Sequence, residues 1–166
     1  HDALPICNHL EQRGRVVNTY VGVKLIKAKP MTRGEYNAYR GWKLPANEDA
    51  SDLGYLVEYQ PDGYQSWSPK TVFESAYFPL AAEGRITEED VDAFLGNVTD
   101  QRLDSKTTHV RAELLSGFVQ HEVSSCVRPE NYDHAIGVEC ATKRIKERVW
   151  MLLGFVLQWG EYGIRR

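Results

Sequence analysis

Between Asp133 and about Gln158, the residues Val138, Ala141, Ile145, Val149, Leu152 and Val156 recur at three- and four-residue spacing. That period places them on one stripe of an α-helix, and a helix of this length must lay its stripe on another element to be stable. The segments just before it supply that element. THVRAELL and FVQHEVSS flank Ser116-Gly117, a two-residue turn signal, and read as an antiparallel hairpin. The expected architecture is α+β, with antiparallel β-hairpins packed against a long C-terminal helix.

Upstream, TYVGVKLIKAKP alternates through Val21, Val23 and Leu25 or Ile26 and stops at Pro30, as a half-buried strand would. In MTRGEYNAYRGW, Thr32 and Glu35 have capping-box spacing and Gly41 is a stop. Leu56 and Val57, then Tyr64 and Trp67, form a second hairpin about Pro61-Asp62-Gly63. In SPKTVFESAY, Ser68 is the expected N-cap and Pro69 the first helical residue. These elements make a small strand-helix-hairpin-helix module over residues 17–82, followed by a ligand-binding α+β domain over 83–166. ITEEDVDAFLGN opens the second part as a short helix capped by Thr87, acidic in its first turn and ended by Gly96-Asn97. HDALPIC resembles the in-frame translation of a sequencing-library adaptor. Residues 1–16 are therefore expected to be a non-native or disordered leader, with Val17 favoured over Met31 as the start.

Charge excludes one class of partner. Twenty basic residues stand against 23 acidic ones, a net charge of −3, so a bulk electrostatic grip on a nucleic acid polymer is not expected. VWMLLGFVLQW falls short of the roughly 18–20 apolar residues that a membrane span needs, and no membrane partner is expected. Three cysteines without a secretory signal fit a reducing cytoplasm. No cofactor is implied.

The densest chemistry lies in SSCVRPENYDHAIG, residues 124–137, which joins the hairpin to the N-terminal end of the long helix. Unpaired amides there favour anions. Farther along, Arg144 and Arg148 share a face, with Lys143 and Lys146 beside them, and Arg165 and Arg166 close the chain. Guanidinium forks, Asn131 and an aromatic such as Phe118 or Tyr132 outline a nucleotide pocket. The plainer alternatives stay open: a solvated basic helix face, Asn131 or Asp133 as helix N-cap, and Phe118 in the core. Cys126 with His121 or His134 is a weak thiol-imidazole candidate. Cys126, Cys140, His121 and His134 lack the close spacing of structural zinc sites, so no metal is assigned. No phosphate loop, Gly-x-Ser-x-Gly or His-Glu-x-x-His occurs.

The stretch 85–159 resembles a small accessory-protein family of tailed phages and prophages. The residues that carry the resemblance are Gly117-Phe118, Ser125-Cys126-Val127, Pro129, Asn131-Tyr132-Asp133, Gly137 and Leu153-Gly154-Phe155. Residues 21–77 resemble a module that precedes other phage accessory domains, including some of the second Thoeris anti-defence family. More distantly, the C-terminal half is similar to the first Thoeris anti-defence family, whose members sequester cyclic ADP-ribose isomers, and in some cases cyclic oligonucleotides, without cleaving them. That resemblance implies ligand contacts by Asn131, Arg148 and Arg165 or Arg166, with Phe118 or His121 at the aromatic position, and Arg144 as a further phosphate ligand. It implies a non-enzymatic, cytoplasmic homo-oligomer. Two other readings remain: a host-protein inhibitor that uses Tyr36, Tyr39, Trp42, Tyr64 and Trp67, and a phosphodiesterase with His121, His134 or Glu139 as base.

Overall fold

The computed structural model describes residues 19–165. The expected leader, its Cys7, the Val17 start and Arg166 lie outside the described residues. The fold is α+β, built on two three-stranded antiparallel sheets.

The first sheet holds β1 (Ile26–Pro30), β2 (Gly54–Tyr59) and β3 (Tyr64–Pro69) in that order. Strand β1 is shorter than the alternation from Val21 suggests. Ile26 pairs with Tyr59, the last residue of β2, so the preceding residues have no strand to pair with. Leu25 instead donates its amide to the Gly160 carbonyl at 3.3 Å. Helix α1 (Arg33–Arg40) has the expected capping box between Thr32 and Glu35, and Gly41 closes it at φ 67°. Helix α2 (Lys70–Ala76) departs from expectation. Ser68 is paired with Tyr55 inside β3 and is not a cap, and Pro69 pairs with Gly54. The ladder takes both residues because Gly54 lets β3 approach closely; a Cβ there would overlap the Ser68 carbonyl and the Trp67 ring. The helix begins one residue later, where Lys70 donates to the Leu53 carbonyl at 2.9 Å.

The second sheet holds β4 (Leu95–Arg102), β5 (Thr107–Leu114) and β6 (Val119–Ser125). Helix α3 (Glu88–Phe94) is capped by Thr87 as expected, through a capping box with Asp90, but Gly96-Asn97 does not end it. The chain passes straight from Phe94 into β4, and Gly96 sits in an irregularity between Leu95 and Val98. A Cβ at Gly96 would lie 2.7 Å from the Glu113 carbonyl, so the glycine permits close approach of β5 rather than a helix stop. The β5–β6 turn is also longer than two residues. Leu114 donates to the Phe118 carbonyl and Gly117 to the Leu114 carbonyl, with Gly117 at φ 80°. This is a three-residue loop whose last position needs a left-handed backbone.

Helix α4 (His134–Tyr162) lies on the second sheet. Its buried residues Gly137, Ala141, Ile145, Val149 and Leu153 pack with Val91, Val110, Ala112 and Leu114. Burying each branched side chain contributes roughly 1.5–3 kcal/mol. Val138 and Leu152 are at the margin of this cluster, and Val156, assigned to the stripe from its spacing, is 44% exposed. Gly137 brings the first turn hard against β5, because a Cβ would meet Thr108.

Candidate functional site

Alternation along β6 decides what can be assembled. Gln120 and Glu122 face α4, since both meet Arg148; His121, between them, points to the opposite side of the sheet. Arg148 donates from Nε to Gln120 Oε1 at 3.0 Å, from Nη1 to Glu122 Oε2 at 2.5 Å and from Nη2 to the His121 carbonyl at 3.2 Å. One turn earlier, Arg144 Nη1 reaches Glu122 Oε1 at 3.3 Å and the Val123 carbonyl at 2.9 Å. The hydrogen bond from Arg148 holds the Glu122 carboxyl below the usual carboxylate range, against the desolvation that would raise it. Two guanidinium groups thus share one ionised carboxylate and keep a net positive charge. Among the described residues, Arg144 Nε and Nη2 have no hydrogen-bond acceptor, and its side chain is half exposed. Such a fork matches a phosphate.

The other expected ligands are distributed unequally. Phe118 is 57% exposed at the turn end of β6, so it is not core. It is two residues, about 7 Å, from Gln120 and hence close to the Arg148 end of the ridge. His121 contributes only its carbonyl there, because its ring stacks on His109 on the outer sheet face. Asn131 lies in a 3-10 turn (Pro129–Asn131) before α4. From His134 to Arg148 the helix rises about 21 Å, so Asn131 and Arg148 stand far apart within one chain. Arg165, past the Gly163 cap, lies over the Tyr162 ring at 5.2 Å, again about 20 Å beyond Arg148. One chain therefore joins Arg144 and Arg148 on Glu122, and leaves Asn131 and Arg165 at the two ends of α4.

A second polar cluster was not legible as such. At the start of α4, capped by Asp133 through Ile136 N, His134 Nε2 meets Asp100 Oδ1 at 2.6 Å. Its Nδ1 meets Tyr132 Oη at 2.8 Å, and that hydroxyl meets Thr108 Oγ1 at 3.0 Å. Arg102 stacks on Tyr132 at 4.2 Å. The order Asp-His-Tyr-Thr imitates a catalytic relay, yet it ends on a Thr108 side chain with no exposed surface. A buried hydroxyl cannot attack a substrate, so the chain of bonds fixes the helix start to β4 and β5. Asp100 pairs with Val110 across the ladder, which only the unanticipated strand β4 makes possible.

The thiol-imidazole pair is not assembled. Cys126 Sγ donates to the Arg128 carbonyl at 3.0 Å, while His121 and His134 occupy opposite faces of the sheet. Among the described residues, no group of three or more His, Cys, Asp and Glu side chains is placed to hold a metal ion.

Residues 74–160, more than half of the chain, match the phage protein (N4 Gp49/phage Sf6 gene 66) family, and the chain belongs to that family. The match spans α3, the second sheet and most of α4, the part that carries the arginine ridge. No curated protein and no solved structure matches the chain. No helix among the described residues is long and apolar enough to cross a membrane.

Proposed function

We propose that this phage-family protein binds and sequesters a cyclic nucleotide messenger of host immunity, either a cyclic ADP-ribose isomer or a cyclic oligonucleotide, and releases it uncleaved. The observation that carries the reading is the Arg144–Arg148 ridge on Glu122, with an open guanidinium fork on Arg144, and with the exposed Phe118 two residues beyond the Gln120 that Arg148 meets. The ridge supplies charge for phosphate and Phe118 a surface for a base. Sequestration needs neither nucleophile nor general base, and it acts in the cytoplasm of the infected cell.

Asn131 and Arg148 cannot share one small ligand within a chain, given the roughly 21 Å of helix between them. If both bind, the ligand lies between two copies, which agrees with a homo-oligomeric sponge. Competing with a host receptor calls for a Kd on the order of nanomolar, about −12 kcal/mol. The test mixes the protein with a candidate messenger, denatures it by heat and analyses what is released. Intact ligand from the wild type, and a loss of about 2–5 kcal/mol of affinity in Arg144→Ala, support the reading. Cleaved ligand replaces it with the phosphodiesterase.

A second reading has one specific observation behind it. Of the five aromatics named for a protein interface, Tyr39, Trp42 and Tyr64 are more than half exposed, whereas Tyr36 is buried in the first module. Aromatics of this kind anchor protein partners. A chain that binds no cyclic nucleotide, yet loses its effect on host defence in Trp42→Ala and Tyr64→Ala, is an inhibitor of a host protein.

A further inference from the structure

The buried stripe of α4 ends at Leu153, well before the helix itself ends at Tyr162. A second stripe runs outside it. Arg144, Arg148, Met151, Phe155, Gln158 and Tyr162 follow one another at alternating steps of four and three, the heptad spacing of a coiled-coil seam. Met151 lies two residues from both Val149 and Leu153, so at 3.6 residues per turn it points roughly 160° away from the side that meets the sheet. Met151, Phe155 and Tyr162 are 66%, 62% and 54% exposed, and Gln158 is exposed with them. The seam changes character along its length, from guanidinium groups at its start to apolar and aromatic side chains at its end.

We propose that this seam joins two copies of the chain as an antiparallel pair of α4 helices, with the two-fold axis level with Leu153. It contains both halves of every pairing, in reverse order, which singles out a second copy as the occupant. Arg144 meets the partner's Tyr162, a cation on a ring; Arg148 meets the partner's Gln158, a donor on an amide oxygen; Met151 meets the partner's Phe155, a thioether on a ring. A parallel pair would set each arginine against its own copy, and an antiparallel one also opposes the two helix dipoles. Shifting the register by one heptad either leaves Gln158 and Tyr162 bare or sets Arg148 against the partner's Arg165. Arg165 covers one face of its own Tyr162 ring at 5.2 Å, and the other face is left for the partner's Arg144. Stacking uses the flat face of a guanidinium, so the Arg144 Nε and Nη2 edge stays open to an acceptor. The pairing gives a surface to the homo-oligomer that sequestration calls for, yet it does not rest on that reading.

Its size sets its strength. The six layers span about 27 Å of helix. Phe155 and Tyr162 each leave about 100 Å² of ring uncovered. With Met151, Gln158 and the arginine stems, the pair of copies covers roughly 1,000 Å², the lower limit of a specific interface, and Kd is on the order of micromolar.

The test is sedimentation velocity on the full chain without any nucleotide, from about 1 to 100 μM. The expected result is a monomer–dimer equilibrium in the wild type. Met151→Glu and Phe155→Glu each raise its Kd at least about tenfold while circular dichroism keeps the native helix signal, because both side chains are exposed in the single chain. Phe155→Gln is the milder variant if a charge impairs folding. Val72→Glu, at an exposed apolar position on α2, leaves dimerisation unchanged. A wild type that stays monomeric throughout, or a dimer that the seam variants leave intact, overturns the proposal. With no nucleotide in the cell, a failure of messenger binding elsewhere does not alter either outcome.

Discussion

Arg148 and Glu122 meet at 2.5 Å, the central link of the ridge between α4 and β6, and Glu122 gives its second oxygen to Arg144. The two arginines differ in what else they do. Arg148 has donors committed to Gln120, Glu122 and the His121 carbonyl; Arg144 leaves two nitrogens free of protein acceptors among the described residues. Arg148→Ala therefore lowers unfolding stability by about 1–3 kcal/mol, because it strands a charged acceptor, whereas Arg144→Ala costs about 0–1 kcal/mol. Urea denaturation of the two variants measures the difference. Equal losses contradict this division of roles.

Acid should loosen the Glu122 contacts and the Asp90 cap of α3. Burial acts to raise the Asp90 carboxyl, but amide donors from Ala81 and Thr87 and the Thr87 hydroxyl outweigh it, so its pKa is lowered; Arg148 lowers that of Glu122. A carboxyl with a depressed folded pKa adds stability above its unfolded value, near 3.9 for Asp and 4.3 for Glu, and loses it as pH falls through the folded value. Melting temperature should drop below about pH 4, and the drop should be shallower in Asp90→Asn and Glu122→Gln. Parallel pH profiles for all three proteins would remove these groups as the cause.

Gly137 is a steric prediction. Its missing Cβ is the space into which Thr108 fits, so Gly137→Ala should destabilise by about 1–3 kcal/mol despite alanine's higher helix propensity. Thr108→Ala removes Oγ1, the closest of the Thr108 atoms, leaves the Cβ at 2.8 Å, and so relieves the overlap in part while it breaks the bond to Tyr132. The double variant should then be more stable than the sum of the single losses implies, by about 0.5 kcal/mol or more. Strict additivity in thermal unfolding would show that the contact does not limit helix approach.

Much of this architecture was legible because its signals are local. Thr32 with Glu35, Thr87 ahead of the acids of the first turn, and the apolar stripe through Ile145 and Val149 each declare a helix from residues a few positions apart. Strand β4 declared nothing. LGNVTDQR lies at the sheet edge with seven of its eight residues exposed, so no alternation marks it, and its glycine looks like a helix stop. Losing β4 also hid the Asp100–His134 contact, whose partners are 34 residues apart. The Arg144–Arg148 ridge was visible from its four-residue spacing, but its partner Glu122 was not, because strand parity assigns Glu122 to the helix side and His121 away from it. The resemblance likewise grouped Asn131 and Arg165 with Arg148, although the length of α4 separates them.

The most direct test of the central claim is the thermal melting shift of the purified protein with a panel of cyclic ADP-ribose isomers and cyclic oligonucleotides, followed by recovery of the ligand from the denatured sample. The account predicts a strong shift with one member, near 2.7 kcal/mol of added stability at 100 times its Kd, and recovery of that ligand intact. No shift with any member of the panel would contradict it.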